Sequence, residues 1–335
     1  KKINKFIDKK YILSYLESIL RVYNEFGRRD NIYKARIKIL VNEMGIEKFR
    51  NAVDREWKKI KKNYFILNKN EISKIKKFFK LPKLVKSLNS KVKNLHNSEF
   101  SKWYEKNTLK HKIRGFRIVH VSLKSKGKPP GDMTYLQMKN LSKLSEKYSY
   151  GEIRVSHEQN LILPHVKNER LFELWDKLKE YNLATSNIGS ITDIICCPGM
   201  DYCALATARS IPISQKISKF FDDFKIQDLI GEMKIKISGC INACGHHHVG
   251  NIGILGLDRN GEEYYQITLG GSAKENSSIG KIVGPSFSSD KIIPAIKIII
   301  DVYLKNRIDK SESFLKTLNR VSIHPFKKAL YDNNW

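Results

Sequence analysis

Four cysteines in two close pairs place the strongest constraint on what this chain can fold into. Cys197 and Cys203 lie in CCPGMDYC, and Cys240 and Cys244 lie in SGCINACGHHHVG. Five residues separate the first pair and three separate the second, and glycine or proline flanks both. Thiolates grouped in this way can converge on one soft metal centre. The fold is therefore expected to bring two loops together around a cofactor.

The residues around the cysteines predict how the fold presents them. KIKISGC alternates Lys and Ile and breaks at Gly239, which predicts a half-buried strand that enters a loop at Cys240. SITDIICC predicts a strand before the first pair, and DYCALATARSIPIS predicts a helix that ends at Pro212. Downstream, strand-like runs flank Asn260 and Gly261, a strong hairpin signal. Each cysteine pair is thus expected at the end of a strand.

The spacing of the cysteines leaves the type of centre open. Structural zinc sites usually separate paired cysteines by two to four residues, so the second pair fits zinc and the first pair fits poorly. Neither the bacterial nor the plant ferredoxin spacing is present. Spacing alone favours an iron–sulfur cluster and keeps zinc, thiol chemistry and unrelated buried cysteines as alternatives. Cys196, beside Cys197, is interpreted as a small buried apolar residue.

The rest of the chain predicts an α+β protein in four stretches. Residues 1–60 form a helical unit, with Leu13, Leu16, Leu20 and Tyr23 on one face of a helix over 11–27 and a second helix over 31–44. A Lys- and Asn-rich connection follows over 61–112 and includes the clusters FILN and FFKLPKLV. Residues 113–185 have the β-α-β-β-α order of a ferredoxin-like split βαβ unit. Residues 186–335 contain the cysteines.

Composition limits the compartment and the partners. Sixty-two Lys and Arg against 34 Asp and Glu give a net charge of +28, which suits anions or an acidic partner but also matches a general bias toward Lys, Ile and Asn. No apolar run is long enough for a membrane helix, and KIIPAIKIIIDVYLK predicts a buried helix. KKINKFIDKK has no secretory pattern, so a reducing cytoplasm is expected. No motif predicts nucleic-acid binding, and no GxGxxG predicts a nicotinamide site.

The cysteine motifs resemble those of a known family. CCPGMDYCALA followed by KIKISGCINACGHHHVGNIGILG resembles the signature of the sulfite and nitrite reductase hemoproteins, which couple siroheme to a 4Fe-4S cluster. The resemblance extends to EEYYQITLGG, HEQNLIL and LRVYNEFGRRDNIYKARIKILVNEMGIEKF, and it spans nearly the whole chain except the Lys-rich connection. It implies a ferredoxin-like unit followed by a mixed α/β siroheme and iron–sulfur domain.

The resemblance also implies which residues hold the cofactors. Cys197, Cys203, Cys240 and Cys244 would ligate the cluster, and Cys244 would share its thiolate with the siroheme iron. Asn242 and Arg36 match positions that contact siroheme, and Gly245 and Gly271 would allow its close approach. Arg154 and Asn160 would lie on a strand pair that faces it. His246, His247 and His248 are expected to pack around the cluster rather than to transfer protons.

The implied activity is assimilatory reduction of sulfite to sulfide by six electrons, with reduction of nitrite to ammonia as the alternative. Electrons would come from ferredoxin or from an NADPH-dependent flavoprotein subunit. The chain corresponds to the C-terminal portion of the family pattern, without the first ferredoxin-like half and most of the first siroheme-domain half, so the isolated chain is expected to be impaired. The second alternative is a truncated, non-catalytic fragment that binds the cofactor or is stabilised by zinc.

Overall fold

The computed structural model describes residues 1–62, 69–84 and 91–332. They divide into two compact units, Lys1–Lys83 and Leu84–Trp335. The FILN cluster at 65–68 lies outside the described residues. No helix in the described part of the chain combines the length and the apolar character that crossing a bilayer requires.

The first unit is helical. Tyr15 and Trp57 join its first and third helices: the Tyr15 ring meets the Trp57 ring edge-on at 5.0 Å, and the Trp57 indole donates to Ser14 Oγ at 3.0 Å. The leucines predicted to share a face, Leu13, Leu16 and Leu20, do so on the exposed side. The helices of this unit are α1 (Ile12–Phe26), α2 (Ile37–Met44), α3 (Ile46–Ile60) and α4 (Lys69–Phe78).

The second predicted helix starts later than the sequence indicated. Residues 32–34 form a turn, and α2 begins at Ile37. The Asn31 side chain accepts a hydrogen bond from the Tyr33 backbone at 2.9 Å, which stabilises the turn in place of a helical start.

The second unit begins with a four-stranded antiparallel sheet in the order β1-β2-β4-β3. Helices α5, α6 and α7 pack on it around Trp103, Leu163 and Trp175. Helix α5 and strand β1 fall within the 61–112 stretch interpreted as a connection, yet they belong to this sheet and its core. The elements are α5 (Ser98–Asn107), β1 (Thr108–Lys110), β2 (Phe116–Val121), α6 (Tyr135–Tyr148), β3 (Arg154–Val155), β4 (Leu161–Lys167) and α7 (Leu171–Glu180).

A six-stranded mixed sheet follows, with the main order β10-β8-β7-β6-β5 and β9 paired to β8. Its strands are β5 (Ile195–Cys196), β6 (Ile235–Ser238), β7 (Ile252–Arg259), β8 (Glu262–Leu269), β9 (Lys281–Ile282) and β10 (Phe287–Ser288). Its helices are α8 (Ile211–Phe220), α9 (Phe224–Ile230), α10 (Ile292–Asn306), α11 (Phe314–Val321) and α12 (His324–Tyr331). The predicted hairpin is confirmed, with Asn260 and Gly261 at positive φ between paired Arg259 and Glu262. The predicted buried helix is α10, whose Ile296 and Ile299 are fully buried.

The prediction of a helix over DYCALATARSIPIS is wrong. The residues from Tyr202 to Ser210 form turns, and α8 begins at Ile211 with Pro212 in its first turn. Proline suits the first turn of a helix because the amide it lacks would have no helical partner there. The amides of Thr207 and Ala208 instead bond to Gly239, so Pro212 starts the helix that it was expected to end.

Candidate metal centre

The two cysteine loops leave neighbouring parallel strands at the same edge of the sheet. Strands β5 and β6 run parallel, with Cys196 opposite Ile237. Cys197 directly follows β5, and only Gly239 separates β6 from Cys240. Because the carboxyl ends of adjacent parallel strands meet at one edge, both cysteine pairs start from the same place.

Gly239 joins the two loops. Its carbonyl accepts hydrogen bonds from the backbone amides of Thr207 at 2.9 Å and Ala208 at 3.0 Å, and from the Thr207 hydroxyl at 3.0 Å. A β-carbon on Gly239 would lie 2.6 Å from the Ala208 carbonyl oxygen and 3.0 Å from the Gly199 α-carbon. A side chain at this position would therefore force the loops apart.

The Cys197 thiol is already surrounded by hydrogen-bonding groups. The Gly239 amide donates to its sulfur at 3.1 Å, and the Ser210 hydroxyl lies 3.4 Å from it. Hydrogen bonds to a thiolate favour its charged form and tune the potential of an iron–sulfur cluster. The position suits a thiolate ligand.

The other predicted ligands range from buried to exposed. Cys240 is buried, Cys203 is half-buried and Cys244 is exposed. The loop from Cys240 to Cys244 turns through Ala243, which has a φ of 57° and donates its amide to the Cys240 carbonyl at 3.1 Å. Cys244 is thus the thiol most open to a second group.

Cys196 differs from its neighbour. It is buried, and its thiol lies 3.8 Å from the Ser214 hydroxyl. Burial raises the pKa of this thiol to about 12, so it stays protonated at neutral pH. The register that makes Cys197 the ligand is therefore the one that this environment favours.

The donor set fits a cluster. All five cysteines are free, and four of them lie on the two joined loops. Within residues 1–62, 69–84 and 91–332, no three His, Cys, Asp or Glu side chains converge as one metal ion requires. A 4Fe-4S cluster offers a different iron to each thiolate, so its ligands surround a larger volume than those of a single ion.

The predicted glycines have a reason within the chain itself. A β-carbon on Gly245 would lie 1.8 Å from the Ile237 carbonyl oxygen, and one on Gly271 would lie 2.5 Å from the carbonyl oxygens of Gly250 and His248. Both glycines therefore let two backbone segments pass closely. Asn242 lies exposed between Cys240 and Cys244.

The remaining predicted siroheme contacts lie apart from the loops in sequence and differ in setting. Arg154 is an exposed residue of β3 whose guanidinium pairs with Glu152 at 2.5 Å. Asn160 is buried; its side chain accepts from the Leu123 amide at 3.1 Å and donates to Asp193 at 3.0 Å. Arg36 belongs to the first unit, where it is exposed at the start of α2.

The three histidines that follow Cys244 have different environments. His246 is exposed with a φ of 54°, and His248, two residues later, is also exposed. His247 is buried, and its ring centroid lies 3.9 Å from that of His248. Burial, followed by repulsion from His248, lowers the pKa of His247 to about 4.

Two groups of residues that support the first loop were missed by sequence reasoning. The Gln159 amide bonds both backbone groups of Cys196: Nε2 donates to the carbonyl at 2.7 Å, and Oε1 accepts from the amide at 3.0 Å. Asp193 is fully buried between Lys124 at 2.6 Å and Lys234 at 2.9 Å. The HEQNLIL motif contains Gln159, but nothing in the motif predicted its hydrogen bonds to Cys196.

The comparisons with known proteins agree with this architecture. The family model of the nitrite and sulphite reductase 4Fe-4S domain matches residues 1–61 and 188–335. The chain belongs to this family. A second model, the nitrite/sulfite reductase ferredoxin-like half domain, matches residues 119–181. Membership implies a 4Fe-4S cluster and siroheme as cofactors.

Individual relatives are distant but cover most of the chain. Maize chloroplastic ferredoxin–nitrite reductase is 23% identical over 296 residues, which is 85% of this chain and 46% of the relative. The NADPH sulfite reductase hemoprotein beta-component of Staphylococcus haemolyticus is 23% identical over 312 residues, 91% of this chain and 47% of the relative. The chain thus spans about half the length of these relatives.

A solved structure supports the fold. The NirA protein of Mycobacterium tuberculosis superposes with a TM-score of 0.61 at 20% identity, covering 97% of this chain and 55% of that one. The α+β fold expected from the sequence is confirmed.

Proposed function

We propose that the two joined loops hold the 4Fe-4S cluster through Cys197, Cys203, Cys240 and Cys244. The observation that carries this proposal is the pair of loops at the ends of β5 and β6, which Gly239 joins through three hydrogen bonds. The amide of Gly239 beside the Cys197 sulfur adds to it, because it would stabilise a thiolate there.

We propose Cys244 as the thiolate shared with siroheme. It is the exposed member of the set, so a second group can reach its sulfur without displacing the sheet. Asn242, Gly245, Gly271 and the cation Arg154 are proposed to border the siroheme. Arg36, in the first unit, stays a siroheme contact predicted from the sequence. Asn160 is proposed to support the siroheme site indirectly rather than to contact the siroheme, since both ends of its amide already bond buried partners.

The proposed activity is the six-electron reduction of sulfite to sulfide by the protein to which this chain belongs. When bound, the cluster and siroheme supply electrons to the anion one at a time. In this reaction, the residues of this chain hold the cluster through fixed thiols. Burial keeps the thiol of Cys196 protonated, so that it does not compete with Cys197.

Nitrite reduction to ammonia is the second candidate. It is favoured by the maize enzyme and by the spinach ferredoxin–nitrite reductase, which is 22% identical over 86% of this chain. Parallel steady-state kinetics with reduced methyl viologen, sulfite and nitrite would decide between them. We expect a higher kcat/KM for sulfite, and a higher value for nitrite would replace the first candidate by the second.

The electron donor is proposed to be a ferredoxin or an NADPH-dependent flavoprotein subunit. The name of the maize relative gives ferredoxin, and that of the Staphylococcus relative gives NADPH. The net charge of +28 favours an acidic ferredoxin. If so, reduction by ferredoxin slows as salt rises, because screening weakens long-range attraction; a rate independent of salt would contradict it. A reducing cytoplasm is the proposed location, since cluster ligands must be thiolates rather than disulfides.

The cofactor proposal has its own test. The purified protein should contain iron and acid-labile sulfide and absorb visible light. Zinc without colour would remove the redox function and favour the zinc-stabilised alternative.

A further inference from the structure

A cavity of about 1140 Å³ lies in the second unit, and none of the five cysteines lines it. Its walls come from β6, β9, α11 and the loop from Ser272 to Ser278. Ligand pockets typically measure about 300–1,000 Å³, so this one exceeds what a single small oxyanion such as sulfite would fill.

The charges that line the cavity do not balance. Five lysines and three glutamates line it. Lys234 pairs with Glu158 at 3.0 Å, and Lys274 pairs with Glu232 at 2.6 Å. Among the described residues, the other three lysines and the remaining glutamate make no ion pair. These residues are Lys236, Lys281, Lys316 and Glu275. The cavity therefore keeps an excess of unpaired positive charge.

Lys236 is the most informative of these cations. The residue is 4% exposed, and its side chain makes no hydrogen bond or ion pair with any described residue. Burial lowers the pKa of its ammonium; Lys234 and Lys124 lower it further, while Glu158 acts in the opposite direction. Its side chain lines the cavity without a hydrogen-bonded partner, and an anion bound there would supply one.

The wall also offers an uncharged donor. Ser272 is buried, and its hydroxyl oxygen accepts a hydrogen bond from the Lys274 amide at 3.3 Å. Its own proton remains available for donation. Ammonium and hydroxyl donors together match the oxygens of carboxylates and phosphates.

We propose that this cavity binds a small polyanion bearing carboxylate or phosphate groups, with Lys236 as its main anchoring cation. No cysteine lines the site, and binding of an added polyanion does not require the proposed reductase activity. Gly270 and Ser272 on its wall flank Gly271, which is proposed above to border the siroheme. Lys281 and Lys316 add to the attraction from more exposed positions.

Isothermal titration calorimetry of the full chain at low ionic strength tests the proposal, with tricarballylate as a tricarboxylate probe and fructose 1,6-bisphosphate as a phosphate probe. We expect saturable binding of at least one probe. Preference for tricarballylate identifies carboxylates as the ligand groups, and preference for the bisphosphate identifies phosphates. Saturation by neither probe overturns the proposal.

Two variants and a matched control locate the binding. Lys236→Met should raise the Kd at least about tenfold, which corresponds to about 1.4 kcal/mol, and Lys281→Met about twofold to fivefold, as for an exposed charge. Lys305→Met alters an exposed lysine of α10 outside the cavity and should leave the Kd unchanged. If Lys305→Met weakens binding as much as Lys236→Met does, the general charge of the protein binds the probe and the proposal fails.

The stability of Lys236→Met provides a second readout. Without ligand, the variant should unfold at the same or a higher temperature, because it removes an unpaired charge from the wall of the cavity. With the probe at one fixed concentration, the wild type should gain more thermal stability than the variant, because the variant binds the probe more weakly. An equal gain in both proteins would contradict the role of Lys236. Should Lys236→Met fail to fold, Lys281→Met still decides the outcome.

Discussion

The two cysteine loops start from neighbouring strands, but those strands are held in different ways. Strand β6 lies between β5 and β7, so backbone hydrogen bonds fix it on both sides. Strand β5 is a two-residue edge strand, and its free side is bonded by the Gln159 side chain. The second loop therefore follows from the sheet, whereas the first depends on side chains supplied by the ferredoxin-like part.

The ion pairs just before β5 extend this difference. Asp193 lies two residues ahead of the strand and is bonded by Lys124 from the ferredoxin-like part and by Lys234, the residue just before β6. Burial raises the pKa of Asp193, but the attraction of the two lysines outweighs it and holds the pKa well below its usual value. The carboxylate stays charged, and its bonds to Lys124, Lys234 and Asn160 link the two sheets.

The largest expected effect is a difference in iron content between variants of two adjacent cysteines at the end of β5. Cys197→Ala should lose the cluster, because it removes a proposed ligand. Cys196→Ala should retain it, because the Cys196 thiol is buried and protonated. Iron and acid-labile sulfide per chain measure the result. Iron lost from Cys196→Ala but kept in Cys197→Ala would move the ligand register by one residue.

The next effect tests how far the first strand depends on its buried ion pairs. Asp193→Asn should lower the free energy of unfolding by about 3–5 kcal/mol, because it leaves the buried Lys124 without its carboxylate, while Lys234 keeps Glu158. Asp301→Asn is the control: its pair with Lys297 at 2.6 Å is exposed, so its loss should cost under about 1 kcal/mol. Urea denaturation followed by tryptophan fluorescence measures both. Equal losses would remove the distinction between the two strands.

Substitution of Gln159 should have a smaller effect on the stability of the same strand, β5. Gln159→Leu removes two hydrogen bonds to Cys196, each worth about 0.5–1.5 kcal/mol, and should speed the loss of iron to a chelator. Gln137→Leu is a matched control, since the Gln137 amide also bonds backbone groups, at Thr134 and Tyr181, away from β5. It should destabilise the protein without changing the rate of iron loss. The same rate in both variants would show that Gln159 does not position the first loop.

The sequence predicted the parts of this comparison that local patterns encode. Asn260 and Gly261 specified the hairpin because their left-handed backbone suits a tight turn, and the alternation around Ile235 specified β6. Lys124 and Asp193 are 69 residues apart in sequence, so no local pattern reports their contact. The same holds for Gln159 and Cys196, which are 37 residues apart. The position of strand β5 was thus predicted from the sequence, but the side-chain contacts that hold it in the sheet were not.

The smallest effect compares the backbones of the two loops with the same substitution in each. Ala243, in the second loop, has a φ of 57°, which costs an L-residue about 1–2 kcal/mol. Glycine has no such cost but gains freedom when unfolded, so Ala243→Gly should change the free energy of unfolding by zero to about +1 kcal/mol. Ala206, in the first loop, is not in the left-handed region, so Ala206→Gly should lower it by about 0.5–1 kcal/mol. Urea denaturation of the two variants side by side should give this order; a loss at Ala243 as large as that at Ala206 would mean that the second loop carries no relievable backbone strain.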